Sequence, residues 1–176
     1  GEEESGMIQK IRERDNYIVR KSPNLSREYQ LIACNVDQVL LMASLVKPKT
    51  YLEFIDRFLV AAESYRIPAI VLFNKYDLYG EYEKSEFSYI QKVYDSIGYT
   101  CFACSVIDGM GLDDVGRLLD GKTSLISGNS GVGKSSLLNA LDPALNLKTA
   151  EVSGTHRSGK HTTTFAEMHF LSSGIR

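Results

Sequence analysis

The sequence predicts an α/β fold in which a parallel-type sheet is covered by helices on both faces. Short, continuous apolar runs at residues 39–43 and 68–73 are typical of strands that are buried on both sides. Between these runs, apolar residues recur at helical spacing. Strands and helices alternate along the chain, which is the pattern of a parallel sheet built from strand–helix–strand units.

Length and composition limit the number of domains and the class of protein. The 176 residues suffice for one domain with a real core, or one domain plus part of another. The hydrophobic fraction of 43% and the charged fraction of 24% are those of an ordinary soluble globular protein. The net charge of −2 predicts neither a nucleic-acid binder nor a membrane-surface protein. No apolar run approaches the ~18 residues that span a bilayer, and the acidic start is unlike a signal peptide. We therefore expect a cytoplasmic protein without a membrane partner.

The three cysteines are Cys34, Cys101 and Cys104. An odd number in a chain of this size argues against a disulfide framework. The spacing of the last two is formally that of a redox pair or of half a zinc site. There is no second ligand pair, and residues 99–106 have the pattern of a buried strand, so the sequence favours a structural role.

The first thirty residues differ in character from the rest of the chain. Residues 7–14 alternate loosely and predict one strand. A lone strand cannot bury its own face, so this stretch is interpreted as the tail of a preceding domain plus a linker. Residues 10–27 carry six basic and two acidic side chains. This excess is typical of a solvated face, and contact with RNA phosphates is the alternative.

From residue 30 onward the elements follow one another regularly. Thr50 and Glu53 have the spacing of a helix-capping box, with Thr50 as the N-cap. Gly98 is placed to end the second helix. The expected elements are a strand at 39–43, a helix over 52–62, a strand at 68–73, a helix over 87–97, strands at 100–104 and 123–127, helices over 112–119 and 134–141, a long polar connection at 142–161 and a strand at 162–171.

A phosphate-binding loop of the form G-x-x-x-x-G-K-S lies between the strand at 123–127 and the helix at 134–141. Gly128 and Gly133 allow the backbone to approach a phosphate, and the loop N–H groups and helix N-terminus favour an anion. Lys134 would reach the β- and γ-phosphates, and the Ser135 hydroxyl would bind Mg²⁺. A turn that binds nothing is the alternative. The predicted nucleotide-binding residues here are Gly128, Asn129, Ser130, Gly131, Val132, Gly133, Lys134, Ser135 and Ser136.

A second motif of the form N-K-x-D follows the strand at 68–73 and consists of Asn74, Lys75, Tyr76 and Asp77. The Asp77 carboxylate can accept hydrogen bonds from N1–H and the 2-amino group of guanine, a donor pair that adenine lacks. The Lys75 stem can cover the base, and Asn74 can bond the base edge and tie this loop to the phosphate loop. Its carboxyl-end position is where ligands bind in open α/β sheets, although a plain polar turn would also fit.

The next strand ends in Ser105 and Val106, where guanine-binding folds place an S-A-type turn whose N–H meets the guanine O6. Val106 stands where alanine is usual, so the match is partial. The base-reading motifs precede the phosphate loop, the reverse of ordinary small GTPases. With this order, the chain resembles the circularly permuted GTPases of the YjeQ type, also called ribosome small-subunit-dependent GTPase A. Four stretches carry the resemblance: residues 32–39, 74–77, 128–136 and 159–164.

The resemblance implies a circularly permuted P-loop GTPase fold that binds GTP or GDP with Mg²⁺ and hydrolyses GTP. Lys134 would stabilise the transferring phosphate, and His161 matches a switch histidine implicated in positioning the attacking water. An exposed loop histidine is the alternative for His161. Ser135 together with Thr162 or Thr163 would hold the Mg²⁺ ion.

The resemblance also implies a longer protein. Residues 1–30 would be the tail of an OB-fold domain plus a linker, and residues 31–176 a GTPase domain that is incomplete at its C-terminal end. Zinc is expected only in a further C-terminal domain. The implied role is maturation of the small ribosomal subunit, with that subunit and its rRNA as partners of a monomer. A GTP-regulated binding module with negligible turnover is the alternative, whereas an ATP-dependent enzyme leaves residues 74–77 unexplained.

Overall fold

The computed structural model describes residues 7–21, 29–149 and 167–172. Six strands and four α-helices run through these residues, with short 3-10 turns at Tyr76–Leu78 and Pro143–Leu145. In chain order the elements are β1 (Tyr17–Lys21), β2 (Tyr29–Cys34), β3 (Gln38–Ala43), α1 (Leu52–Ser64), β4 (Ala69–Phe73), α2 (Glu81–Ser96), β5 (Thr100–Ala103), α3 (Leu112–Leu119), β6 (Ser124–Gly128) and α4 (Lys134–Leu141).

The central sheet has the strand order β5-β4-β3-β6, and all of its neighbouring strands are parallel. In the middle of the sheet, Leu41 of β3 pairs with Val71 on one side and with Ser127 on the other. The carboxyl ends of all four strands therefore meet at one edge. This arrangement confirms the predicted α/β fold with a parallel sheet.

Helices cover both faces of this sheet, as the alternating side chains of β3 show. Leu41 and Ala43 belong to a core cluster with residues of α1 and α2, such as Ile55 and Ile90. Leu40 and Met42, on the opposite face, pack in a cluster that includes Val115 of α3 and Leu137 of α4. The central strand is buried along its whole length because each face has its own helical layer.

β1 and β2 form a separate antiparallel pair. The strand predicted at residues 7–14 is wrong, because these residues form no regular structure. Ile8 and Ile11 are more than four-fifths exposed, whereas Ile18 of β1 packs against a small core cluster that includes Val36 and Val39. The strand therefore forms at β1, where β2 provides a pairing partner and the small core cluster provides an apolar surface.

The predicted capping box at α1 is also wrong. The N-cap is Tyr51, with no side-chain capping bond. Thr50 is instead fully buried, and its Oγ1 accepts a hydrogen bond from the Ser44 N–H at 3.1 Å. Thr50 therefore closes the loop that precedes α1 and leaves the helix start uncapped. At the end of α2, Gly98 has a φ of +91°, which confirms its predicted role as a helix stop.

The strand predicted at 162–171 is not formed in its described part, because residues 167–172 have no regular structure. Residues 150–166, which include most of the predicted polar connection, lie outside the described residues. Ser172 donates two hydrogen bonds to the buried Asp142 carboxylate, from its N–H at 2.7 Å and its hydroxyl at 2.8 Å. These bonds hold residues 167–172 beside the end of α4 and lower the pKa of Asp142.

Cys101 and Cys104 are buried, as the sequence predicts, and burial raises the pKa of each thiol to about 12. Both are free thiols. Within the described ranges, no helix combines the length and apolar character required to cross a membrane.

Candidate nucleotide-binding site

Four loops converge at the carboxyl edge of the central sheet. They follow β3 (residues 44–50), β4 (residues 74–77), β5 (residues 105–110) and β6 (residues 129–133). This edge is where ligands bind in open α/β sheets. The two predicted motifs therefore face one another although more than fifty residues separate them in the chain.

The phosphate loop requires glycine at both ends because other chain segments approach it closely. Gly128 has a φ of +146°, and a Cβ there would lie 2.3 Å from the Met42 carbonyl oxygen. Gly133 has a φ of +106°, and a Cβ there would lie 2.4 Å from the Asn74 Nδ2. Between them, the buried Val132 side chain packs into the core with Leu137. The loop is thereby fixed against the sheet.

Lys134, the first residue of α4, points its ammonium group back over the phosphate loop. Its Nζ donates to the carbonyl oxygens of Gly128 at 2.8 Å and Asn129 at 3.0 Å. Burial lowers the pKa of Lys134. No carboxylate pairs with Lys134 in the part of the chain that the structure describes. A half-buried cation held only by carbonyl groups at a helix N-terminus is well suited to an anion.

Asn74 joins three of the four loops. It is 2% exposed, and its Nδ2 donates to the Val132 carbonyl oxygen at 2.9 Å. Its Oδ1 accepts from the Val106 N–H at 3.4 Å and from the Cys104 thiol at 3.5 Å. The tie to the phosphate loop is the contact that the sequence motif predicts for this residue.

The other three residues of the N-K-x-D motif have separate surroundings. Lys75, with a φ of +66°, donates from Nζ to the carbonyl oxygens of Gly131 at 2.8 Å and of Lys47. Burial lowers the pKa of Lys75. The exposed Asp77 accepts a hydrogen bond from the Ser105 hydroxyl at 2.7 Å, which orients its carboxylate. The half-buried Tyr76 ring packs against the core, where its aromatic neighbours are Tyr79 and Phe87.

The loop at residues 44–50 is the part of the site that sequence reasoning missed. Its Lys47 carbonyl accepts from Lys75, and Pro48 lies 3.7 Å from the position of a Cβ on Gly131. Tyr79, also missed, donates to the Asn74 carbonyl oxygen at 3.3 Å and accepts from the Leu45 N–H at 2.9 Å. The sequence could have indicated this loop by its position directly after a buried strand, since the loops that follow parallel strands meet at one edge of the sheet.

Three predicted residues, His161, Thr162 and Thr163, lie outside the described residues. Ser135 and Ser136 are half-buried in the first turn of α4. Among the residues with described positions, no group of three acidic, histidine or cysteine side chains could hold a metal ion by itself. A cation at Ser135 would therefore depend on phosphate oxygens and water for most of its ligands, as Mg²⁺ commonly does.

Comparison with known proteins points to one family. The family model described as RsgA GTPase matches residues 11–175. A small ribosomal subunit biogenesis GTPase RsgA from Christiangramia forsetii is 53% identical over 175 residues, covering 99% of this chain and 56% of that protein. The protein of the same name from Flavobacterium johnsoniae is 49% identical, covering 98% and 53%. This chain thus spans about half the length of the curated relatives it matches.

Solved structures agree with the sequence relatives. The crystal structure of YjeQ from Thermotoga maritima has a TM-score of 0.67 and 35% identity, covering 81% of this chain and 47% of that one. The structure of YloQ, described as a circularly permuted GTPase, has a TM-score of 0.63 and 35% identity, covering 82% and 47%. The predicted circular permutation is confirmed by this match. With the family model covering nearly all of its length, the chain belongs to the RsgA GTPase family.

Proposed function

We propose that this chain binds guanine nucleotides with Mg²⁺ and hydrolyses GTP to GDP and phosphate. The hydrogen bond from Asn74 to the Val132 carbonyl oxygen carries the proposal, because it joins the N-K-x-D loop to the phosphate loop. One nucleotide can then contact both loops, with its base at Asp77 and its phosphates at residues 128–136. A phosphate loop alone would be equally compatible with ATP.

Guanine selection rests on the Asp77 carboxylate. The Ser105 hydroxyl donates to one of its oxygens, and Asp77 is exposed, so the carboxylate is accessible and would accept from the two adjacent N–H donors of guanine. Adenine offers no such pair, and unmatched polar groups make a site of this kind reject the wrong ligand strongly. Lys75 would cover the base with its stem, while Val106 would offer its N–H to the guanine O6.

Hydrolysis of GTP depends mainly on positioning and on stabilising negative charge. Lys134 and the N–H groups of residues 129–133 would bind the β- and γ-phosphates. Ser135 and either Thr162 or Thr163 would hold Mg²⁺, which neutralises phosphate charge when bound. The hydroxyl donors fit this ion, since Mg²⁺ prefers oxygen ligands. His161 is proposed to position the attacking water.

The proposed role is that of a monomeric, cytoplasmic factor for maturation of the small ribosomal subunit. Its support is the name that the relatives carry, small ribosomal subunit biogenesis GTPase RsgA. Residues 1–30 are proposed as the tail of an rRNA-contacting OB-fold domain plus a linker, and residues 31–176 as a GTPase domain that is incomplete at its C-terminal end. Zinc would be bound only by a C-terminal domain of the full-length protein.

Titration calorimetry with GDP and ADP at the same Mg²⁺ concentration tests the nucleotide assignment. We expect GDP to bind at least a hundredfold more tightly than ADP, because the Asp77 site rejects adenine. An Asp77→Ala variant should lose this preference while keeping its affinity for pyrophosphate. Equal affinities of the unaltered chain for GDP and ADP would overturn the assignment.

The catalytic role of His161 needs the full-length protein and small ribosomal subunits. GTP turnover with subunits present should fall at least tenfold in His161→Ala, whereas His156→Ala, a matched change in the same polar connection, should retain it. An unchanged rate in His161→Ala would remove this residue from the mechanism. Nucleotide binding without turnover in the unaltered protein would instead favour the GTP-regulated binding module.

A further inference from the structure

The loop after β3 occupies the central position at the site. In the strand order β5-β4-β3-β6, β3 lies between the strand that leads to Asn74 and the strand that leads to the phosphate loop. We term the loop at residues 44–50 the central loop. By its strand order it lies between the base-reading loop at residues 74–77 and the phosphate loop at residues 129–133. Its Lys47 carbonyl accepts from Lys75, and its Pro48 lies beside Gly131.

Only a few hydrogen bonds determine the shape of this central loop. At its base, Ser44 and Thr50 bond each other twice, from the Ser44 N–H to Thr50 Oγ1 at 3.1 Å and from the Thr50 N–H to the Ser44 carbonyl oxygen at 2.7 Å. Within it, the Ser44 hydroxyl donates to the Val46 carbonyl oxygen at 2.6 Å. Three side chains outside the loop also attach to it: Lys75 bonds the Lys47 carbonyl, Glu86 accepts from the Lys49 ammonium group at 3.1 Å, and the Tyr79 phenol accepts from the Leu45 N–H. Of these, the Tyr79 phenol is the one that bonds a backbone N–H of the loop.

The Tyr79 side chain reaches the central loop and the base-reading loop together. It is 4% exposed and packs beside Phe87 and Leu45 in the core. Its hydroxyl accepts from the Leu45 N–H and donates to the Asn74 carbonyl oxygen. Burial raises the pKa of Tyr79 to about 12, so the phenol keeps the proton that it donates.

We propose that Tyr79 is a positioning residue for nucleotide binding, which holds the central loop and Asn74 in the arrangement that receives the nucleotide. This inference rests on the proposed guanine-nucleotide function and assigns to that site a residue outside both sequence motifs. Without the phenol oxygen, the buried Leu45 N–H loses its acceptor, and a buried donor without a partner is costly. The central loop would then leave its position, and the carbonyl that anchors Lys75 would move with it.

The Tyr79→Phe variant tests the proposal because it retains the ring and removes only the hydroxyl. Since apparent affinity falls with the fraction of protein in the competent arrangement, we expect the Kd for GDP to rise about five- to tenfold. Calorimetry separates this effect from misfolding: a loss of folded protein lowers the number of binding sites, whereas a positioning effect raises Kd at unchanged stoichiometry.

Tyr94→Phe is the matched control. Tyr94 is also buried on this face of the sheet, and its hydroxyl donates to Asp56 Oδ1 at 2.7 Å, between α2 and α1 and away from the loops of the site. This variant should lose comparable stability and bind GDP with unchanged Kd. An equal rise in Kd in both variants, or wild-type Kd in Tyr79→Phe, would overturn the proposal.

A second variant keeps the proposal testable if Tyr79→Phe does not fold. Thr50→Val preserves the shape of Thr50 but removes the oxygen that closes the central loop. It should also raise the Kd for GDP several-fold, and wild-type affinity there would contradict the role given to the loop. Selective GDP binding by the unaltered chain is measured first, so failure of the proposed function is distinguishable from failure of this inference.

Discussion

Replacing Gly133 with alanine tests the closest approach within the site. The added Cβ would lie 2.4 Å from the Asn74 Nδ2, in a residue whose φ is +106°. Two costs follow. Alanine is strained at this φ by about 1–3 kcal/mol, and displacement of the Asn74 amide leaves buried polar groups without a hydrogen-bond partner, at a cost of about 1–3 kcal/mol. Together they lower the free energy of unfolding by about 2–6 kcal/mol.

Gly98→Ala separates the two costs. Gly98 has a similar φ of +91°, but nothing lies within 4 Å of the position its Cβ would occupy. This control should therefore show the backbone strain alone, about 1–3 kcal/mol. The difference between the two variants reports the displacement of Asn74.

Urea denaturation and GDP calorimetry measure the two consequences. Gly133→Ala should be less stable than Gly98→Ala and should bind GDP at least tenfold more weakly, because Asn74 no longer joins the two loops. Gly98→Ala should bind GDP normally. Equal stability losses together with normal GDP affinity in Gly133→Ala would refute the reasoning that the Asn74 contact is what requires glycine.

Three further predictions concern individual side chains. Asp77→Asn replaces an acceptor with a donor, so GDP affinity measured by calorimetry should fall on the order of a hundredfold or more. Xanthosine diphosphate has a carbonyl group at C2 and should bind this variant more tightly than it binds the unaltered chain. Unchanged GDP affinity would contradict this prediction. Because burial lowers the pKa of Lys134, its ammonium group should lose its proton, and GDP binding should weaken, at a pH below the ordinary lysine pKa of 10.5. In Lys134→Arg the side chain stays charged, so binding should weaken less as the pH rises. Ionisation of the guanine base affects both proteins equally. Coincident pH curves would argue against this. Cys101 and Cys104, both buried with raised pKa values, should react with iodoacetamide at pH 8 far more slowly than the half-exposed Cys34, as mass spectrometry would show; rapid labelling would contradict their burial.

The elements of the central sheet could be predicted from the sequence because each is marked by local patterns. The apolar run at 39–43 can be buried only as a central strand, and β3 is buried along its length. The helices expected at 112–119 and 134–141 have those bounds in the structure. Both nucleotide motifs were recognisable because each is a short run of specific residue types located where a strand ends.

The remaining features depend on contacts between distant parts of the chain. Thr50 has the sequence pattern of an N-cap, but burial against Ser44 gives its hydroxyl another use. The contact of Tyr79 with Leu45 spans 34 residues, and nothing local to either residue indicates it. The strand near the N-terminus was misplaced because its position is set by the partner strand at Tyr29–Cys34.

The same long-range contacts explain why a permuted order of motifs can build this site. Asn74 reaches Val132 across 58 residues and Lys75 reaches Gly131 across 56, and both contacts form because their strands end at the same edge of the sheet. Neither contact depends on which loop comes first in the chain. What the site requires is β3 between β4 and β6, so that the loop after β3 lies beside the other two and supports them. The contacts of Tyr79 and Lys47 therefore depend on the strand order. A chain that kept both motifs but had β3 elsewhere in the sheet would lose these contacts.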